Sequence, residues 1–121
     1  MRFDFKTRIE AEAQSYKDSY KIFGINPNNQ IEEVSMYAVV DWCVNIDARE
    51  SGIKSIDTFI RDILIYGNVT YIDGGGEAEL IDFEFKIPKS WNILDEIEQT
   101  SNSLYLSMVI VNFEKKEISI S

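Results

Sequence analysis

The stretch Val34–Asp47, VSMYAVVDWCVNID, decides how this chain is read. Its even positions, Val34, Met36, Ala38, Val40, Trp42, Val44 and Ile46, are all apolar. Its odd positions, Ser35, Tyr37, Val39, Asp41, Cys43, Asn45 and Asp47, are mostly polar. Side chains alternate across a β-strand with a period of two, so this is a strand with one dry face and one wet face. At about 3.3 Å per residue it runs roughly 40 Å, long enough to expect a bend or bulge.

Upstream, Asn26–Gln30 (NPNNQ) is a turn cluster. Before it, Thr7 to Phe23 reads as a helix: Ile9, Ala13, Tyr16, Tyr20 and Phe23 fall at spacings of four, three, four and three. Thr7 with Glu10 matches a capping box, and Gly24 supplies the left-handed residue that ends many helices. Glu10, Glu12, Lys17, Asp18 and Lys21 form the other face.

Downstream, Ala48–Gly52 (ARESG) breaks the alternation and closes the strand. Ile53–Ile72 carries two competing patterns. Ile56, Phe59, Ile60, Ile63, Leu64 and Gly67 fit a helical face, whereas Ile63, Ile65, Val69 and Tyr71 fit a strand. The turn Asp73-Gly74-Gly75-Gly76 and the clean alternation of Glu79–Ile87 after it call for an antiparallel partner of similar length. The reading is therefore strand from Ile63 to Ile72, with an extended start near Ile56. Pro88 stops the next strand, and Ser90 could cap a short helix with Trp91, Leu94 and Ile97 on one side. Thr100–Ser103 reads as a loop. Leu104–Phe113 is apolar on both faces, as in a covered central strand, and the short Glu117–Ser121 suits an edge.

These elements predict an α+β fold: one domain over residues 1–121, with an antiparallel sheet of about five strands and an N-terminal helix and a short second helix packed on one face. One long helix followed by an antiparallel meander resembles the cystatin-like architecture in topology, with no sequence motif of that family.

Composition fits a globular chain of 121 residues, 45% hydrophobic and 27% charged. Apolar runs stop at four or five residues, too short to span a bilayer, and MRFDFKTRIEAEAQ lacks the apolar core of a secretory signal. A single cysteine, Cys43, cannot form an internal disulfide. A cytoplasmic location is the expectation. The net charge of −9 repels phosphate backbones, which argues against direct nucleic-acid binding, and steers the chain toward basic partners.

Candidate chemistry is sparse. Histidine is absent, which removes the commonest general base and metal ligand and excludes Ser-His and Cys-His catalysis. Cys43 has Asp41 and Asn45 on its own face, and an adjacent carboxylate disfavours a thiolate. Asp41 and Asp47, with Asp82 and Glu84 from another strand, read as solvated carboxylates on the open side of a sheet. The loop Asp73–Glu77 with Glu79 beyond lacks EF-hand spacing, and its glycines precede no helix and no GK[ST], so it reads as a hairpin turn. No catalytic residue, metal site or cofactor is expected.

The expected function is that of a small acidic, non-catalytic protein docking on a basic protein surface, of the inhibitor, immunity or anti-defence type. Its contact surface would combine Tyr37, Asp41, Asn45 and Asp47 with the acidic loop residues Asp73, Glu77 and Glu79. Tyr37 and Trp91 are the expected surface anchors. The alternative is a small-molecule pocket between sheet and helix, lined by Tyr16, Tyr20, Trp42 and Tyr66. A third is a subunit of a larger assembly, and an exposed strand edge could also support a homodimer.

Overall fold

The computed structural model describes residues 1–17, 19–95 and 108–121. Strands take 70% of the described residues and helix 4%. Among the described residues the strands are β1 (Arg2–Ser15), β2 (Gln30–Arg49), β3 (Gly52–Ile72), β4 (Ala78–Lys86), β5 (Asn92–Asp95), β6 (Val109–Asn112) and β7 (Glu117–Ile120), with one helix of four residues, α1 (Tyr20–Phe23). They form one sheet in the order β4-β3-β2-β1-β6-β7-β5. The β1–β6 and β5–β7 pairs are parallel and the rest antiparallel.

The expected α+β fold is thereby corrected to a mixed, nearly all-β sheet, and the cystatin-like likeness falls with its long helix. The segment read as the N-terminal helix is strand β1 from Arg2 to Ser15, and only Tyr20–Phe23 is helical. The physical reason is the ladder: ten residue pairs, Arg2↔Asn45 to Ala11↔Met36, bind β1 to β2. Those bonds and the burial behind them outweigh the modest helix preference of Glu-Ala-Glu-Ala-Gln, worth a few tenths of a kcal/mol per residue. The alternation was complete: Arg2, Asp4, Lys6, Arg8, Glu10, Glu12 and Gln14 face one way, and Phe3, Phe5, Thr7, Ile9, Ala11 and Ala13 the other. Gly24 does end the shortened helix, in left-handed conformation with φ of 75°.

β2 is the strand expected from Val34–Asp47, extended at both ends. β3 is continuous from Gly52, so the ambiguous stretch is strand throughout. Trp91, expected exposed, is buried against Phe85 and Phe113. The short helix expected after Ser90 is instead β5, paired in parallel with β7. β7 lies between β6 and β5 and is no edge, because β5 takes its outer side. Asp18, Ile97, the loop at 100–103 and the first part of the strand read at 104–113 lie outside the described residues.

The core sits on the even face of β2. Met36, Ala38, Val40 and Trp42 are buried with Ile63, Ile65 and Val69 of β3 beside them. Val109, Val111, Ile118 and Ile120 of β6 and β7 are fully buried too. Each such side chain contributes about 1.5–3 kcal/mol relative to exposure. The sheet curls over this core. β4 and β6 are four places apart, about 19 Å in a flat sheet. Yet Phe85 of β4 and Phe113, just past β6, have ring centroids 6.4 Å apart. Phe23 of α1 bridges the two sides, edge-on to Phe83 at 4.8 Å and to Phe113 at 5.5 Å.

Two details shape the pairing of β2 with β3. Gly67 is opposite Met36, and a Cβ there would stand 1.9 Å from the Ser35 carbonyl oxygen, so glycine alone allows β3 this close to β2. Further along, the register passes from Asp41↔Asp62 to Trp42↔Ile60, leaving Arg61 as the extra residue of a bulge.

Candidate functional site

The face away from the core is built by β1 to β4. In register across it, Glu10 stands opposite Tyr37, Tyr37 opposite Tyr66, and Tyr66 opposite Glu84. One step toward the bulge the row is Arg8, Val39, Leu64 and Lys86. One step the other way it is Ser35, Asn68 and Asp82, with Glu12 on the β1 side.

The two tyrosines form the centre. Their rings lie 5.7 Å apart at an interplanar angle of 26°. The Arg8 guanidinium lies over them, its Cζ 4.5 Å from the Tyr37 centroid and 5.6 Å from that of Tyr66. On the Ser35–Asn68 side the short side chains leave two cavities that share Tyr37. One, about 320 Å³, opens where β1 parts from β2 beyond Ala11 and Met36, and is lined by Glu10, Glu12, Glu33, Ser35, Tyr37 and Met108. The other, about 460 Å³, is lined by Tyr66, Gly67, Asn68, Asp82 and Glu84 with Tyr37.

Charge divides this face in two. Beside the bulge it is a mosaic of ion pairs: Arg61 with Asp41 at 3.0 Å and Asp4 at 3.3 Å, Arg2 with Asp4 at 3.3 Å, and Lys86 with Asp62 at 3.5 Å. Close neighbours that strip water from Asp4 push its pKa upward. The Cys43 thiol and the guanidinium groups of Arg2 and Arg61 prevail and hold it below the usual carboxylate range. Hydrogen bonds to Asp41 above all raise the pKa of Arg61. Around the tyrosines the carboxylates Glu10, Glu12, Glu33, Asp82 and Glu84 are exposed, and among the described residues none enters an ion pair.

The residues expected to form the contact surface are not brought together. Tyr37 is central. Asp41 lies on the same face, but its side chain is only 14% exposed and is gripped by Arg61. Asn45 and Asp47 are exposed at the far end of β2, where Asp47 pairs with Ser55. Asp73 lies at the other end of β3, roughly 55 Å along the strand. Asp73, Glu77 and Glu79 do cluster, with ligand atoms within 4.8 Å of one another. One Asp73 oxygen accepts the backbone N–H groups of Gly75 and Glu77, both at 2.9 Å, and so ties the hairpin turn.

The residues expected to line a ligand pocket are also separated. Among the described residues no long helix bounds such a pocket. Trp42 is wholly buried, stacked on Phe5 at 6.2 Å, whereas Tyr66 belongs to the opposite face. Tyr16 and Tyr20 border a third cavity of about 440 Å³ beyond the end of β1. Cys43 is buried in register with Asp4 and Phe59.

Sequence reasoning missed Arg8, Glu10 and Glu12 as members of this face because it placed them in a helix. The alternating polar row from Arg2 to Gln14 was the signal that could have found them. No family model, no curated protein and no solved structure matches the chain. Among the described residues no helix is long and apolar enough to cross a membrane.

Proposed function

We propose that the protein is a non-catalytic binding module that docks on a basic protein surface through the tyrosine-centred face of β1 to β4. One observation carries this reading: five exposed carboxylates without ion-pair partners among the described residues surround a stacked tyrosine pair, while Arg61 and Lys86 of the same face are in ion pairs beside the bulge and Arg8 lies over the rings. Carboxylates attract a basic partner over long range, and rigid aromatic rings supply contact area at small entropic cost. A net charge of −9 adds to the steering.

The test is capture of partners from the native host on immobilised protein, with Glu10→Lys/Glu84→Lys as control. Wild-type protein should retain a basic partner that the double variant releases, and raised salt should slow association. Equal retention by both proteins would contradict the reading.

A further inference from the structure

We infer that the anchoring group of the partner at this face is an arginine side chain, stacked on the open side of the Tyr37–Tyr66 pair. The inference rests on the docking surface proposed above and names the chemistry of its centre. Arg8 shows that the pair takes a guanidinium against its rings, at 4.5 Å from one centroid and 5.6 Å from the other. Register places the Arg8 backbone in the Val39–Leu64 row. Toward the Ser35–Asn68 row a groove of about 460 Å³ adjoins the rings, lined by Asn68, Asp82 and Glu84.

Charge complementarity selects a cation for that groove, and its shape selects a planar one. Glu10 and Glu12 flank the rings on the β1 side, and Asp82 and Glu84 on the β4 side. The backbones of β1 and β4 are about 14 Å apart across the sheet, a span that flexible acidic side chains narrow from both edges. A guanidinium lying flat on the rings directs its N–H donors sideways, toward carboxylates at the rim. An ammonium group points its three donors in a tetrahedral spread and is more strongly hydrated, so it gains less from the rings.

The test titrates hexa-arginine and hexa-lysine peptides, equal in charge, into the full chain, into Tyr37→Leu and into Tyr37→Phe. Wild-type protein should bind hexa-arginine about three-fold or more tightly than hexa-lysine. Tyr37→Leu should abolish that preference, weakening hexa-arginine binding more than hexa-lysine binding. Tyr37→Phe, which keeps the ring, should retain the preference, and Tyr66→Leu, which removes the second ring, should weaken it and decides the matter if the Tyr37 leucine variant does not fold. Equal binding of both peptides by wild-type protein, weakened by Glu10→Lys/Glu84→Lys, would overturn the arginine seat and leave the docking surface standing. An arginine preference that survives Tyr37→Leu would overturn the seat as well. Binding of neither peptide would overturn both.

Discussion

The guanidinium of Arg61 holds the carboxylate of Asp41 across the β2–β3 pair, with Nε 3.2 Å from Oδ2 and Nη2 3.0 and 3.1 Å from Oδ1 and Oδ2. The contact depends on the bulge. In an unbroken strand Arg61 and Asp62 would face opposite ways, whereas the extra residue lets both reach the face away from the core. The same guanidinium touches Asp4 of β1, so one side chain ties three strands. Arg61→Ala should therefore lower the melting temperature. Arg61→Lys should recover only part of the loss, because an ammonium cannot reproduce the planar fork. Thermal melts of the three proteins check this, and full recovery by lysine would show that charge alone suffices.

Asp4 gives the same network a pH signature. Its folded-state pKa is depressed, so its contribution to stability is present above the unfolded value of about 3.9 and is lost as pH falls through the lower folded value. The wild-type advantage over Asp4→Asn should be constant near neutrality and shrink toward zero below about pH 4. Urea unfolding of both proteins across that range measures it. An advantage that persists unchanged in acid would assign the effect to packing and not to ionisation.

Gly67 is where β3 comes too close to β2 for any side chain. A Cβ would meet the Ser35 carbonyl oxygen at 1.9 Å, a backbone atom that cannot step aside without moving the strand. Gly67→Ala should cost about 1–3 kcal/mol, in the range of other overpacked sites. It should also weaken partner binding, because the groove beside Tyr66 and Asn68 depends on this approach. Gly74→Ala, with nothing within 4 Å of its new methyl, should change stability by less than about 0.5 kcal/mol and serves as the control. Equilibrium denaturation reads both.

How much of this was legible in the sequence differs by element. β2 was plain because its dry face is uninterrupted, and the Asp73–Gly76 turn fixed the β3–β4 hairpin. β3 was ambiguous because the bulge at Arg61 changes which parity faces the core: Ile56 and Ile60 before it, Ile63 and Ile65 after it. Steps of four and three across one bulge imitate a helical face, and a period count cannot separate the two. β1 was misread because, from Thr7 onward, its dry face offers only Ile9 as a large apolar residue beside Thr7, Ala11 and Ala13, a weak signal next to strong helix formers. The site followed the fold. Tyr37 was visible on the wet face of β2, but the neighbours that give it meaning, Arg8, Glu10 and Tyr66, are set by pairing between strands far apart in sequence.

The central claim is that the tyrosine-centred acidic face is the docking surface, and carboxylate footprinting of the captured complex tests it most directly. Carbodiimide labelling followed by mass spectrometry compares the Asp and Glu side chains of free and bound protein. Glu10, Glu12, Asp82 and Glu84 should be protected in the complex, with Asp47 and Asp57 at the far end of the sheet labelled equally in both states. Protection of Asp47 and Asp57 with the tyrosine rim labelled as in the free protein would contradict it.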